Sequence, residues 1–321
     1  MSRRKTSRVR NGRNARSVEL RVRTPRIVGF EMLRVAKRCA RLGVVAVVVG
    51  LTMWGAKLGL RHLFIENAEF RLDYIDLQTD GGITEHDLAT LTGIDPTASV
   101  FAINLESARK ALESRPAIVK AKVSRRLPGT LRVRVEERTP VAWLECRSLG
   151  MIGRNPECGV LLDAAGTCFP CEEWLEEMAT RLPVIVVQQA GEEDFVIGRK
   201  IQHRGARRGL HLVNLAAREL EGESWSLPVV AVRNEFSLVA ATSDGALVTF
   251  GMYDHRRQLA DLRALRHHAA ETGRLIGTVD LMPQRNIPVT FAATDGQPLQ
   301  KSAPRRENRL EREMAAILNR G

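Results

Sequence analysis

The cysteines are the residues in this chain that are best suited to do chemistry. Four of the five lie within 26 residues, and the last two form a Cys-x-x-Cys pair: Cys146, Cys158, Cys168 and Cys171. Cys39 lies far from the other four. Cysteines clustered in this way can form structural disulfides, act as a thiol-redox pair, or bind zinc.

Spacing and number favour the disulfides among these three kinds of chemistry. An even number of cysteines suits pairing in an oxidising compartment. A thioredoxin-like site on Cys168 and Cys171 would need a surrounding βαβ pattern, which the sequence does not show. A zinc knot would need two Cys-x-x-Cys pairs, but eleven residues separate Cys146 from Cys158. Redox and zinc chemistry remain open alternatives.

Other signatures of catalysis are missing from the sequence. The seven histidines are scattered without a His-Glu-x-x-His motif, and neither a phosphate-binding loop nor a Gly-x-Ser-x-Gly elbow occurs. His267 and His268 face different sides of a helix, and Glu136 and Glu137 alternate across a strand. We therefore expect a protein that is not an enzyme and has no cofactor, metal ion or small-molecule substrate.

An apolar stretch near the N-terminus predicts a membrane anchor. Residues Leu42 to Leu60 contain one charge, Lys57, and as a helix they would extend about 28 Å, close to the thickness of a bilayer core. A buried helix of a soluble protein and a cleaved signal peptide are the alternatives. The 41 residues before the stretch and the lack of a small-residue cleavage site argue against the signal peptide.

The segment before the apolar stretch fixes the expected orientation. Residues 1–41 hold fourteen Lys and Arg against two Glu, an excess equal to the +12 net charge of the whole chain. This excess predicts a cytoplasmic N-terminus, with residues 62–321 outside the cytoplasm. The tail has almost no aromatic residues and no base-reading motif, so we expect an unstructured arm near anionic lipid rather than sequence-specific nucleic-acid binding.

Residues 64–138 follow a strand-helix-helix-strand-strand pattern. Residues 70–78 alternate like a strand, Thr84 starts a capping-box spacing, and Asn104 can cap a second helix before Pro116. Two alternating runs then flank a turn at 127–130, which predicts a hairpin with an apolar face that carries Val123 and Val133 and a charged opposite face.

The segment 105–144 resembles the POTRA domain and domain junction of the FtsQ/DivIB family of bacterial division proteins. The resemblance rests on a helix ending before Pro116, a basic strand end at 123–126, the Leu-Pro-Gly-Thr-Leu turn at 127–131, and Glu-Arg-Thr-Pro-Val-Ala at 137–142. It implies an α+β fold: one transmembrane helix, a POTRA domain over 64–138 and a mostly antiparallel β domain with two helices over 139–293.

Residues 139–293 read as short β runs interrupted by a helix near 203–220 and by a second helix that starts with Asp254 as its cap. Family features in this region are Leu162-Asp163 with Gly166 and Phe169, Gly245 with Val248 and Gly251, and Val279-Asp280-Leu281. Met282 stands where the family has Arg. The family pattern does not require the four cysteines. For residues 294–321 we expect a frayed polar tail, although Leu310, Met314, Ile317 and Leu318 share one helical face.

The resemblance implies a scaffold of the bacterial division machinery in the inner membrane, concentrated at the septum. Its implied partners are membrane division proteins of the FtsB/DivIC and FtsL type, which it would help couple to septal peptidoglycan synthesis. Alternatives are a membrane-tethered thiol-redox protein using Cys168 and Cys171, and a POTRA module of a secretion or assembly system.

An open strand edge is the expected means of partner binding. We predict that the last strand of the β domain offers unpaired backbone groups to a partner strand. The candidate partner-binding residues are Asn286, Ile287, Val289, Thr290 and Phe291. Pairing of this strand inside the sheet on both sides is the alternative.

The orientation can be tested with reporters fused after Gly321. We expect a phosphatase that folds only outside the cytoplasm to be active there, and a fluorescent protein that matures only in the cytosol to stay dark. A dark phosphatase fusion together with a fluorescent one would reverse the predicted orientation.

Overall fold

A computed structural model of the chain describes residues 25–64, 68–292 and 309–318. The chain divides into two compact units, residues 1–63 and 64–321. The fold is α+β, as predicted: an N-terminal apolar helix, a small α/β domain, and a sheet-rich C-terminal region.

The N-terminal helix α1 spans Pro25–Phe64 and contains the predicted apolar segment. Within it, Cys39–Gly59 is long and apolar enough to cross a bilayer, with a mean hydropathy of 1.7 and none of its residues buried. The expectation of an unstructured arm is wrong for residues 25–41, which are helical. These residues include many good helix formers, and extending an existing helix avoids the cost of a new nucleus. Residues 1–24 lie outside the described part of the chain.

The domain that follows has the predicted strand-helix-helix-strand-strand order. Its elements are β1 Tyr74–Thr79, α2 Glu85–Thr92, α3 Leu105–Glu113, β2 Ile118–Arg126 and β3 Thr130–Glu137. The strand order is β1-β3-β2, with β1 parallel and β2 antiparallel to β3. Val123 pairs with Val133, and Val133 is buried, so the predicted hairpin register is confirmed. The first strand begins at Tyr74 rather than at Phe70.

Both predicted helix caps in this domain are present. The Thr84 hydroxyl accepts from the Asp87 N–H, and the Asp87 carboxylate accepts from the Thr84 N–H, which completes a capping box. Asn104 Oδ1 accepts from the backbone N–H groups of Glu106 and Ser107. The two caps fix the starts of α2 and α3, whose apolar faces cover one side of the sheet.

The C-terminal region is built on a nine-stranded sheet. The strands are β4 Pro140–Glu145, β5 Val160–Asp163, β6 Cys168–Pro170, β7 Val184–Val186, β8 Val229–Val232, β9 Ser237–Ala241, β10 Leu247–Gly251, β11 Ile276–Asp280 and β12 Val289–Phe291. Their order in the sheet is β12-β11-β10-β9-β8-β7-β4-β5-β6. Most neighbouring strands are antiparallel; β4 with β7, β7 with β8, and β10 with β11 are parallel. The helices are α4 Glu176–Ala179, α5 Arg204–Glu219 and α6 His255–Glu271.

The two long helices of this region agree with the sequence prediction, apart from one cap. His203 Nδ1 accepts from the Ala206 N–H at the start of α5. Asp254 precedes α6 with a φ of 61° but makes no side-chain cap bond; its carboxylate pairs with Arg257 instead. The predicted capping role of the Asp254 side chain is therefore wrong, although the helix begins where expected.

Both faces of the nine-stranded sheet are apolar, and each is covered differently. Helices α5 and α6 cover one face, where Ile185, Val230 and Phe250 are buried. The opposite face carries Trp143 and Phe169 among its buried residues, and it is covered by the segment 172–182 and a C-terminal helix.

This C-terminal helix, α7 Arg309–Leu318, corrects the expectation of a frayed tail. Leu310, Met314 and Ile317 are buried against the second face of the sheet, close to β8. A ten-residue helix is marginal in isolation, so its stability comes from this packing. The apolar helical face in the sequence correctly indicated a packed helix. The sequence did not reveal the apolar sheet face on which this helix packs.

Side chains also link the two domains of the second unit. Arg138, at the end of β3, pairs with Asp163 of β5 through an Nη1–Oδ2 distance of 2.5 Å, and its Nε donates to the Pro116 carbonyl. Trp174 packs against the cores of both domains. A Cβ at Gly82 would lie 2.7 Å from the Trp174 carbonyl oxygen, so this close approach requires glycine.

Replacing Met314 should test whether α7 is docked. Met314→Asp puts a charge on the fully buried face and should lower stability by about 2–5 kcal/mol, comparable to emptying a buried Met site. Thermal unfolding of the detergent-solubilised chain, followed by circular dichroism, measures this. Ala315→Asp, on the exposed face of the same helix, is the matched control. Equal effects of the two variants would contradict the docking.

Candidate functional site

The outermost strands of the sheet, β6 and β12, differ in whether the side that faces away from the sheet is hydrogen-bonded. The outer side of β6 is hydrogen-bonded to the segment 197–201: the Cys168 N–H donates to Arg199 O at 2.9 Å, and the Gly198 N–H donates to Cys168 O at 2.7 Å. Within the described residues, β12 pairs only with β11. The outer side of β12 is thus the open edge of the sheet among the residues described.

The hydrogen bonds to β11 show which backbone groups of β12 point outward. The Ala292 N–H donates to Leu275 O at 2.8 Å, and Pro288 O accepts from the Asp280 N–H at 3.0 Å, so residues 288 and 292 face β11. Backbone groups alternate along an antiparallel strand. The Thr290 N–H therefore faces β11, whereas the N–H groups of Val289 and Phe291 face outward.

The structure shortens the predicted docking strand. The sequence suggested Asn286 to Phe291, but the strand comprises only Val289–Phe291. Asn286 has a φ of 55°, a left-handed conformation that interrupts an extended strand. Ile287 packs against the core on the helix-covered face. Of the predicted edge residues, Val289, Thr290 and Phe291 form the strand, while Asn286 and Ile287 lie in the loop before it.

The side chains of β12 differ on the two faces of the sheet. Val289 packs against the core under the helices. Phe291 is 44% exposed, and the Arg274 guanidinium lies 5.2 Å from its ring centroid. On the opposite face, Thr290 Oγ1 lies 2.7 Å from Thr278 Oγ1. Sequence reasoning missed Arg274, because the residue is remote from β12 in the chain and no local pattern marks it.

The four clustered cysteines are free thiols in this structure and face different surroundings. Cys146 and Cys168 are fully buried in the core on the helix-covered face. Cys171 is half-buried against the core of the opposite face, and Cys158 is half-buried in a turn before β5. Cys168 and Cys171 thus belong to opposite faces of the sheet. The predicted pairing of all four cysteines remains a prediction.

The environment of the Cys-x-x-Cys pair disfavours the thiolate form. Burial, with a smaller contribution from Asp163, raises the pKa of the Cys168 thiol to about 12. Burial, followed by Glu176 and Glu172, raises the pKa of the Cys171 thiol to about 11. Thiol-redox enzymes instead depend on a lowered cysteine pKa. In the described part of the chain, no three His, Cys, Asp or Glu residues are arranged to hold a metal ion.

The fold combines an N-terminal helix that is long and apolar enough to cross a membrane with a small α/β domain and a sheet-rich region. Residues 70–138 match the family model of the POTRA domain, FtsQ-type. The chain is similar to cell division protein FtsQ of Koribacter versatilis, with 34% identity over 111 residues that cover 33% of this chain and 30% of that protein. It is also similar to cell division protein FtsQ of Geotalea daltonii, with 25% identity over 133 residues that cover 41% of this chain and 42% of that protein.

These comparisons confirm the predicted resemblance to the FtsQ/DivIB family. The chain carries an FtsQ-type POTRA domain after an N-terminal apolar helix, and it is related to several FtsQ cell division proteins. The matches span less than half the length of the curated relatives. These relatives are named as cell division proteins.

Proline substitutions should show which side of β12 is paired. Thr290→Pro removes an N–H that faces β11 and should lower the thermal unfolding temperature of the detergent-solubilised chain. Val289→Pro removes an outward N–H and should lower it much less. If Val289→Pro is as destabilising as Thr290→Pro, the proposed alternation along β12 is wrong.

Proposed function

We propose that this protein is a non-enzymatic scaffold of the bacterial division machinery that binds partner membrane proteins by adding a strand at β12. The open outer side of β12 is the observation that carries the proposal. Two outward N–H groups, those of Val289 and Phe291, and the carbonyl groups beside them are available to an extended partner segment. Main-chain hydrogen bonds of this kind supply affinity without requiring a deep pocket.

The faces beside β12 indicate what side chains the partner strand should carry. Phe291 follows Val289 by two residues, on the helix-covered face, and is exposed; Leu275, whose carbonyl accepts from the Ala292 N–H, is 71% exposed. Arg274 stacks on Phe291 and supplies a positive charge on the same face. A partner strand with apolar residues and a carboxylate on that face, and polar residues facing Thr290, would complement this edge.

The proposed partners are division proteins of the FtsB/DivIC and FtsL type, as the family resemblance implies. In this proposal, residues 62–321 lie outside the cytoplasm and the protein concentrates at the division septum. The scaffold would hold its partners close to the proteins that synthesise septal peptidoglycan. The POTRA domain, linked to the sheet through Arg138, Asp163 and Trp174, would keep the docking edge in a fixed place relative to that domain.

The two alternative functions have less support. A thiol-redox enzyme would need Cys168 and Cys171 side by side with a lowered pKa; they contact opposite faces of the sheet, and both thiol pKa values are raised. A POTRA module of a secretion system is disfavoured because the matching family model is the FtsQ type.

Partner capture from division-competent membranes tests the proposal. Val289→Pro should abolish capture of the FtsB/DivIC-type partner while the chain keeps its circular-dichroism spectrum, because a partner hydrogen bond loses its donor. Val289→Thr is the matched control, since it keeps the N–H and the branched shape, and it should bind normally. Normal capture by a folded Val289→Pro variant would show that β12 is not the docking edge.

A tagged copy imaged in dividing cells tests the location independently. We expect fluorescence to concentrate at the cell waist. An even distribution around the cell envelope would favour the secretion-module alternative instead.

A further inference from the structure

We propose that Cys158 and Cys171 form a single disulfide bond in the exported protein, while Cys146 and Cys168 remain buried thiols. The inference rests on the proposed orientation, which places residues 62–321 outside the cytoplasm. It replaces the expectation of two disulfides with one bond between named residues.

The register of the β5–β6 hairpin brings this pair to one place. Val160 pairs with Pro170, which is the last pair at that end of the ladder. One step further along the same register, Gly159 would face Cys171. Cys158 is the covalent neighbour of Gly159 and ends a turn that is closed by the Gly159 N–H donating to Asn155 O at 2.7 Å. Both cysteines therefore lie at the open end of the hairpin, and both are half-buried rather than fully buried in the core.

The geometry excludes pairings within the hairpin strand and across the sheet. Cys168 and Cys171 are three residues apart in extended chain, about 10 Å, beyond the Cα separation of roughly 7 Å that a disulfide can bridge. Cys146 and Cys171 face opposite cores. Cys168 on β6 pairs with Leu162 on β5, and Leu162 pairs with Ala142 on β4. Cys146 lies four residues further along the chain from Ala142, so this register separates Cys146 from Cys168.

Two pairs remain. Cys168 pairs with Leu162, four residues along the chain from Cys158, which separates Cys158 from Cys168. The last pair, Cys146 with Cys158, is blocked by another residue. A backbone bridge joins Cys146 to Met151, with the Cys146 N–H donating to Met151 O at 2.9 Å. Met151 therefore occupies the position directly across from Cys146. The Cys146 Sγ lies 3.2 Å from Ser148 Oγ and is fully buried.

The proposed bond would join two segments, one of which contacts α7 and the other the POTRA domain. The segment 147–159 contains Arg154, whose Nη1 donates at 3.4 Å to Ile317 O near the C-terminal end of α7. In the segment 171–175, Glu172 Oε1 lies 3.9 Å from Arg115 Nη1 of the POTRA domain. Trp174 in the same segment packs against the POTRA core and against the core of the second sheet face. A bond from Cys158 to Cys171 would tie the α7 contact to the domain junction.

The oxidation is a dithiol–disulfide exchange with a protein disulfide of the exterior compartment. The Cys158 thiolate attacks one sulfur of that disulfide, and the other sulfur leaves as a thiol. Cys171 then loses its proton and attacks Cys158 Sγ in the mixed disulfide, which releases the oxidant as a dithiol. Two electrons and two protons pass to the oxidant. The raised pKa of Cys171 makes it a poor first attacker, so the first step is assigned to Cys158.

Mass analysis of the non-reduced full chain tests the inference. Trypsin leaves Cys158, Cys168 and Cys171 on one peptide, residues 155–181. After alkylation in denaturant, we expect this peptide to be lighter by two hydrogens and to carry one alkyl group, on Cys168. Cys168→Ser should keep the two-hydrogen deficit, and Cys171→Ser should lose it. Three alkyl groups on the wild-type peptide, or a deficit that survives in Cys171→Ser, would overturn the proposal.

A second measurement separates this inference from the proposed orientation. Detergent-solubilised full chain, reduced and then treated with oxidised glutathione, should form the same Cys158–Cys171 bond regardless of its location in the cell. If this bond forms in detergent but not in cells, and the exterior reporter is dark, the orientation has failed and the geometry stands. If no Cys158–Cys171 bond forms in detergent, the inference itself is wrong.

Discussion

A sheet that is apolar on both faces must be covered on both faces, and this constraint organises the C-terminal region. Amphipathic helices α5 and α6 cover the face that contains Ile185 and Phe250. The second face receives the segment 172–182 and helix α7, which arrives from beyond the last strand in sequence. Each covering element buries side chains that would otherwise meet water, at about 25 cal/mol per Å² of apolar surface. With the faces covered, the remaining opportunity for association lies at the strand edges.

The two edges of the sheet have different chemistry. The edge at β6 is hydrogen-bonded by the segment 197–201, which satisfies its backbone groups internally. Among the described residues, no segment is hydrogen-bonded to the outer side of β12. This strand is short, and Asn286, in a left-handed conformation, precedes it. Short edge strands limit indiscriminate pairing between sheets. The β12 edge therefore suits a partner that adds side-chain contacts, such as those available at Phe291 and Arg274, to a few main-chain hydrogen bonds.

Local signals in the sequence predicted the POTRA domain well. The Thr84–Asp87 capping box, the Asn104 cap and the alternation of Val123 and Val133 depend on neighbours within one element or one hairpin, so the sequence contains all that is needed. The docking of α7 was missed because a ten-residue helix gains its stability from a sheet face built by distant residues. The extent of β12 and the surroundings of the cysteines were missed for the same reason. Register across β5 and β6 decides which cysteines meet, and spacing in the sequence does not reveal it.

The outward backbone of β12 is open among the described residues, and we propose that a partner strand pairs with it in the complex. Residue-resolved hydrogen exchange measures this directly on the N–H groups of Val289, Thr290 and Phe291, with and without an FtsB/DivIC-type partner. We expect fast exchange at Val289 and Phe291 in the free protein, strong protection of both on binding, and slow exchange at Thr290 in both states. Unchanged exchange at Val289 and Phe291 in a saturated complex would contradict it.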